Sequence, residues 1–515
     1  MKGSALAAFF LMEMAPVRIW GEAGGVGHLH PVPWCSGLAY VPVKDEIAGS
    51  NPVGTAVSNL SDDPALTDRD AQLALPPRPP GRSRCRQRAR MTGKEFAKKV
   101  RAWRPAGLWR HHDFVRLWTA AGISAAGTQV TLLALPLTAI LVLHASAFEV
   151  AALATAATVP NLALGIAAGI WLDRVQRRPV MVAADFGRAV VLASVPVAYV
   201  FGVLSLPQLY LVALIGGSLN VLFDIASGAY LPSVVPRVQL VEANAKLQAA
   251  IVVAQAAGPS IGGALVTLLS APMAIVVDAA SFLISGSLIA SANARDQVQR
   301  EPQPKMTSLR TELRQAARYL LSDPYLRPLL VGHALANLAL GLLWAIVIVY
   351  AVRVLGLMPG TLGVILSLGQ VGGVIGAAFA HRIAQRAGVG RVVVASFFLF
   401  GPATLLMATA TGQTAIVFVT VGWTLESLAR SLYGVSATSV RQALVPDRLQ
   451  GRVIGLTTTA GTGAFPLGTL LGGALAGAFG LREAMFFAAS VAVLPFIAVA
   501  ASPIRTLRDS WTANS

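Results

Sequence analysis

The sequence predicts an all-α integral membrane protein with twelve transmembrane helices in two six-helix bundles. Three observations carry this. The chain of 515 residues is 55% hydrophobic and only 13% charged, whereas soluble domains carry about 25% charged residues. From residue 114 onward it divides into apolar runs long enough to cross a bilayer, which takes about 20 residues at about 1.5 Å each. Its two halves also echo each other at an offset of 210 residues.

The spans fall at about 115–143, 148–171, 180–204, 207–231, 247–269 and 273–292, then 327–352, 360–381, 391–411, 414–438, 454–478 and 484–502. The expected organisation is an N-terminal bundle at 114–292, a linker at 293–326, a C-terminal bundle at 327–502 and a tail at 503–515. Within the linker, Leu309, Leu313, Ala316, Ala317 and Leu320 recur at helical spacing with arginines between them. That pattern predicts a helix lying at the membrane surface or a solvated linker helix.

Residues 1–113 read differently. They mix Pro, Gly, Arg and Asp without period, and residues 78–90 are basic and Pro-rich, so the segment is expected to be a disordered extension. Ala5 to Met12 is apolar but is stopped by Glu13 without a cleavage site, unlike a signal peptide. Met91, followed by Lys94, Lys98 and Lys99, resembles an ordinary start before a first membrane helix. The expectation is a start codon assigned too early. Cys35 and Cys85 both lie in this segment and form no metal or disulfide pattern.

The net charge of +17 is distributed as a topology signal rather than as a nucleic-acid footprint. Arg174, Arg177 and Arg178 follow span 2, and Arg237 and Lys246 follow span 4. Arg382, Arg386 and Arg391 follow span 8, and Arg441, Arg448 and Arg452 follow span 10. The alternate loops are bare apart from Arg353 and Arg482. Basic residues stay cytoplasmic, so both termini are expected in the cytoplasm and the protein in the inner (plasma) membrane.

The repeat pairs Gly262-Gly263-Ala264-Leu265 with Gly472-Gly473-Ala474-Leu475, and Val235-Pro236 with Val445-Pro446. A repeated bundle in one membrane chain is the pattern of transporters that rock two halves about a midplane site.

Three motifs then resemble the major facilitator superfamily. Gly169-Ile-Trp-Leu-Asp173-Arg174-Val-Gln-Arg177-Arg178 is similar to its signature loop G-x-x-x-D-R-x-G-R-R, with Gln176 in place of Gly. Gly258-Pro259-Ser-Ile-Gly262-Gly263 resembles the antiporter motif G-P-x-x-G-G of exporters. Leu231-Pro-x-x-Val235 through Ala243-Asn244, Asp278-Ala-Ala-Ser281-Phe282, and Gln442-Ala-Leu-Val445-Pro446-Asp447 are similar to the branch of macrolide efflux proteins and the enterobactin exporter. The resemblance implies the major facilitator fold and export of small amphipathic molecules by proton antiport. It further implies that Asp173 contacts a helix of the other half to form a gate. Arg174, Arg177 and Arg178 would be its partner cluster. The plainer reading of these residues is topogenic charge, and of the glycines, close packing.

Ionisable groups inside spans are costly and therefore functional candidates. Asp185 and Arg188 lie one turn apart in span 3, Asp224 in span 4 and Asp278 in span 6. Glu426 and Arg430 share a face of span 10, as the i, i+4 spacing requires. Asp185, Arg188 and Asp224 are expected to form a charge network near the signature loop. Asp224, Asp278 and Glu426 are the candidates for proton coupling, although Glu426 has an alternative as a permanent ion pair with Arg430. Trp344, Phe223 and Trp423 either line an apolar cavity or belong to the core. No phosphate-binding G-x-x-x-x-G-K, H-E-x-x-H or Asp-rich metal motif occurs, which argues against an ATP-driven pump or a membrane enzyme. No cofactor or metal is expected. The expected partners are a small-molecule substrate, the proton and the lipid bilayer, without nucleic acid, and the expected state is a monomer. An uptake symporter or lipid transporter of the same fold is the alternative.

Overall fold

A computed structural model describes residues 108–172, 175–292 and 306–507. Most of the expected extension, including Cys35 and Cys85, lies outside the described residues. The described part is helical throughout, with no strand among the described residues. A short turn at Leu108–Arg110 leads into α1 (His112–Leu141), followed by α2 (Ala147–Leu172), α3 (Arg177–Val200), α4 (Leu206–Val234), α5 (Leu240–Leu269) and α6 (Ala271–Ala290). The linker contains α7 (Met306–Ser322). The second half continues with α8 (Leu326–Arg353), α9 (Pro359–Ala387), α10 (Val389–Ala408), α11 (Ala415–Leu444) and α12 (Asp447–Phe479). It ends with α13 (Leu481–Val491) and α14 (Leu494–Ala500).

Among the described residues twelve helical stretches are long and apolar enough to span a membrane, the last of them Leu481–Ala500. The expected final span is therefore two helices, broken by a turn beside Pro495, which lies in the first turn of α14 and has no N–H to give. The fifth and eleventh spans begin about two turns earlier than their apolar runs. Glu242 and Lys246 form an i, i+4 ion pair at 2.9 Å that carries α5 out past the apolar region.

We call the end carrying the α2–α3, α4–α5 and α6–α8 connections the near face and the opposite end the far face. Within the first half α1 packs on α5 and α6, α3 on α4 and α6, and α2 on α4. Within the second half α8 packs on α12, and α11 on α9 and α10. The halves meet chiefly where α5 packs on α9 and α2 on α12, with smaller contacts of α8 on α1 and α2.

One face of the linker helix packs on protein, while Arg314, Gln315, Arg318 and Leu321 are exposed. Ala316 and Leu320 of α7 are buried with Leu326, Val445, Leu449 and Val453, and the Tyr319 hydroxyl donates to the Leu444 carbonyl at 2.8 Å. Its apolar stripe therefore finds a protein partner, the near end of the second bundle.

The cores of the two faces differ. Toward the far face a single cluster crosses both bundles, from Val130, Val150 and Ile275 to Ile346, Ile365, Trp423 and Met485. Toward the near face Phe114, Met181, Phe223 and Tyr230 form one core in the first bundle. Leu329, Phe397, Tyr433 and Val440 form another in the second.

Loop geometry follows the repeat. Ser270 and Gly480 are equivalent at the 210-residue offset, and both adopt left-handed φ, 83° and 104°. The two far-face arginines that broke the charge pattern are both anchored to loop carbonyls. Arg353 donates to the Ala145 carbonyl at 2.6 Å, across the bundles, and Arg482 donates to Ala410 past the end of α10 at 3.1 Å. Arg482 thus sits just beyond the C-terminal end of α10, where a cation is favoured.

Candidate functional site

Two sets of residues stand out, a pair of seams between the bundles and a charge network inside the first.

The G-P-x-x-G-G motif divides between two neighbours. A Cβ added at Gly258 would run into Gln129 of α1, and one at Gly262 would lie 3.1 Å from Val130 Cα. Pro259 and Gly263 turn instead to the other bundle. A Cβ at Gly263 would come within 3.1 Å of Gly363 Cα and 3.2 Å of Gly360 Cα on α9, and one at Gly363 would strike the Pro259 carbonyl. Backbones this close tolerate only glycine. The seam also carries polar contacts, since the Ser260 amide donates to Ser367 Oγ at 2.9 Å.

The second seam repeats the first. Gly473, the equivalent of Gly263, meets Ala147, Phe148 and Ala151 of α2, with Phe148 Cα 3.1 Å from an added Cβ. The hydroxyls of Thr155 and Thr469 lie 2.6 Å apart. Gly468 and Gly472 pack on α8 as Gly258 and Gly262 pack on α1. The partners follow an offset of 212: Ala147, Phe148, Ala151 and Thr155 correspond to Pro359, Gly360, Gly363 and Ser367. None of these partner residues stood out in the sequence. Their signal was a pair of small residues four apart, easily lost in a chain with 48 glycines.

The network lies deeper in the first bundle. Arg188 is 3% exposed and Asp185 fully buried, and the Arg188 Nη2 donates to Asp185 Oδ1. Arg188 Nη1 donates to Asn220 Oδ1 at 2.9 Å, and Asn220 Nδ2 to Asp224 Oδ2 at 3.0 Å. Ser285 of α6 donates to the second Asp185 oxygen at 2.7 Å. The guanidinium lies between two rings, 4.6 Å from the centroid of Phe223 and 4.1 Å from that of Phe282. Arg188 is also within electrostatic reach of Asp278. One buried cation thus faces three carboxylates, on α3, α4 and α6, and desolvation makes each pairing stronger than it is in water. Asp278, read in the sequence as a separate candidate, belongs to this group. Ser281 Oγ donates to its carboxylate at 3.1 Å, and Gly127 of α1 leaves the space it occupies, because a Cβ there would collide with both. Sequence reasoning passed over Asn220, Ser285 and Gly127, since neutral polar residues and single glycines carry no periodic signal.

Asp185, Arg188 and Asp224 therefore come together as one chain of contacts, two turns or more from the loop that precedes α3. Gly169 falls in the last turns of α2, while Asp173 and Arg174 lie outside the described residues. Arg177 opens α3, and Arg178 donates to Ile289 at 3.1 Å and to Ala290, the terminal carbonyls of α6. Gln176 has an ordinary φ of −68°, so the glycine of the motif is not required there. Its counterpart Gly388, at the same offset of 212, has φ 88°.

In the second bundle Glu426 is 2% exposed and pairs with Arg430 at 3.3 Å. Arg430 donates to Ser427 Oγ at 3.2 Å, and Ser427 to Gln370 of α9 at 3.2 Å. Trp423 is buried, edge-on to Trp344 at 5.3 Å. Phe223 lies under Arg188. These rings belong to the core and the network. Among the described residues no group of His, Cys, Asp and Glu is placed to hold a metal ion.

Comparison with known proteins now has a geometry to attach to. The family model of the Major Facilitator Superfamily matches residues 117–388 and 329–514. The chain belongs to the Major Facilitator Superfamily. It is an integral membrane transporter of that family, whose fold and membership are not those of enzymes. It is 28% identical over 393 residues to the multidrug efflux pump Tap of Mycolicibacterium fortuitum, covering 73% of this chain and 91% of Tap. The solved nucleoside transporter NupG shares the fold with a TM-score of 0.62 at 13% identity, covering 76% of this chain and 98% of NupG. A bacterial homologue of the iron transporter ferroportin, solved in an inward-facing state, does so with a TM-score of 0.61 at 19% identity, covering 77% and 100%.

Proposed function

We propose that this transporter exports small amphipathic molecules and is driven by protons moving the other way. The buried network around Arg188 is the observation that carries the reading. Three carboxylates share one cation at the start of a solvent-poor region, so adding or removing a proton must redistribute these contacts. Asp224 is the exposed end of the chain and Asp185 its buried end. Asp224 is thus the entry point, and Asp278 and Glu426 are the further proton carriers to test. Export is favoured by the seam motif and by the likeness to Tap. The basic loops assign the near face to the cytoplasm. On that assignment, a core shared by the bundles at the far face and separate cores at the near face favour a state open toward the cytoplasm. Asp173 and Arg174 would complete the cytoplasmic gate in the alternate state, with the protein acting as a monomer.

The test expresses the full chain in an efflux-deficient bacterium and follows accumulation of fluorescent and antibiotic compounds with and without a protonophore. Lower accumulation that the protonophore reverses is expected, and Asp224→Asn, Asp278→Asn and Glu426→Gln locate the coupling. Accumulation that rises with expression reverses the direction and makes the protein an uptake system.

A further inference from the structure

The start of α1 carries a cavity that the transport reading leaves unused. It has a volume of about 400 Å³ and is lined by Arg110, His111, His112, Asp113, Arg116 and Val234. The single carboxylate is engaged, since Asp113 pairs with Arg116 at 3.2 Å. Arg116 is anchored further by donating to the Ser291 carbonyl at the end of α6, at 2.6 Å. Arg110 and His112 are exposed. The first turn of α1 opens into the same space. His111 is its N-cap, and no side chain caps that turn, so its amide donors are directed outward. Guanidinium donors beside a helix N-terminus are an arrangement suited to phosphate.

The neighbouring residues set the depth of this cavity. Trp109 is 53% exposed. Its ring packs edge-on against Trp118 at 4.9 Å, and the Lys246 ammonium lies 4.4 Å from its centroid. An exposed indole held beside a lysine at the end of a membrane helix belongs at the headgroup level of a bilayer. The cavity therefore opens where phospholipid phosphates are concentrated, and its volume exceeds what a bare phosphate needs.

We propose that this cavity binds a phosphate group, presented by the headgroup of an anionic phospholipid. Arg110 and His112 contact its oxygens, Arg116 fixes the wall, and the first turn of α1 supplies backbone donors. The site is independent of the direction of transport.

The test measures thermal unfolding of the purified full chain in detergent. The additions are dioleoyl phosphatidylglycerol, dioleoyl phosphatidylcholine or sodium phosphate. The comparison is with the double variant Arg110→Gln, His112→Gln and with Arg314→Gln, an exposed arginine on α7. Both altered cavity side chains are exposed, and unfolding in phosphatidylcholine alone reports whether the variants fold. The expected result is stronger protection by phosphatidylglycerol than by phosphatidylcholine, about tenfold weaker in apparent affinity for the double variant and unchanged in Arg314→Gln. Protection that survives in the double variant, or that falls equally in Arg314→Gln, overturns the site. Protection by sodium phosphate without any by phosphatidylglycerol overturns the lipid as its source.

Discussion

The far and near faces are built from the same twelve helices, yet they solve packing in opposite ways. At the far face small residues let α5 meet α9 and α2 meet α12 with backbones nearly touching, and one hydrophobic core runs through both bundles. At the near face the bundles keep separate cores, and the buried charges are satisfied inside one bundle rather than across the gap. At the far face, then, the seam glycines divide between a neighbour in their own bundle and one in the other. A rocking transporter needs this asymmetry, with one face closed by reversible contacts while the other is free.

The sharpest way to break the comparison is to weld the far face. Thr155→Cys with Thr469→Cys, after Cys35 and Cys85 are changed to Ser, places two thiols where hydroxyls now lie 2.6 Å apart, within reach of disulfide geometry. Oxidation is expected to reduce transport to background and a reductant to restore it. Full transport with the bond shown to be formed would mean that this seam never opens.

The next effect lies in the charge network. Arg188→Ala leaves carboxylates buried without their cation and is expected to cost about 3–5 kcal/mol, read from denaturant or thermal unfolding in detergent. Asp224→Asn removes only the exposed end and should cost less. Equal losses would show that the network has no buried core.

Gly363→Leu tests the seam by overpacking. Its Cβ already runs into the Pro259 carbonyl and Gly263, so a loss of about 1–3 kcal/mol is expected. The equivalent position at the other seam is Ala151, and Ala151→Leu should match it if the two seams are equivalent.

The smallest effect has the opposite sign. Ser270 holds φ 83° where its repeat partner is Gly480, and ψ 159° puts it in a region suited almost only to glycine. Ser270→Gly should raise stability by about 1 kcal/mol, seen as a higher unfolding temperature; no rise would mean the loop relaxes around serine.

Much of this was legible beforehand. The span count came from apolar length, and the 210-residue echo paired Gly263 with Gly473. The linker helix was visible as a stripe of Leu and Ala, but its partner was not, because nothing local tells Ala316 whether it will meet lipid, water or Val445. Asp278 was visible as a costly charge, yet its link to Arg188 needed Gly127, Ser281 and the crossing of α3 with α6. Arg353 and Arg482 looked like exceptions to the charge rule until the loop carbonyls they bind came into place.

The sequence by itself determined the helices, their number and the repeat, because apolar length and periodicity are local consequences of backbone geometry and lipid solvation. Only the tertiary structure decided which glycines face their own bundle and which face the other, which carboxylates share Arg188, and at which face the two bundles share a core. Those outcomes depend on how whole helices cross. In a repeated bundle the same side chains pack two ways, and the choice between them belongs to the assembled molecule.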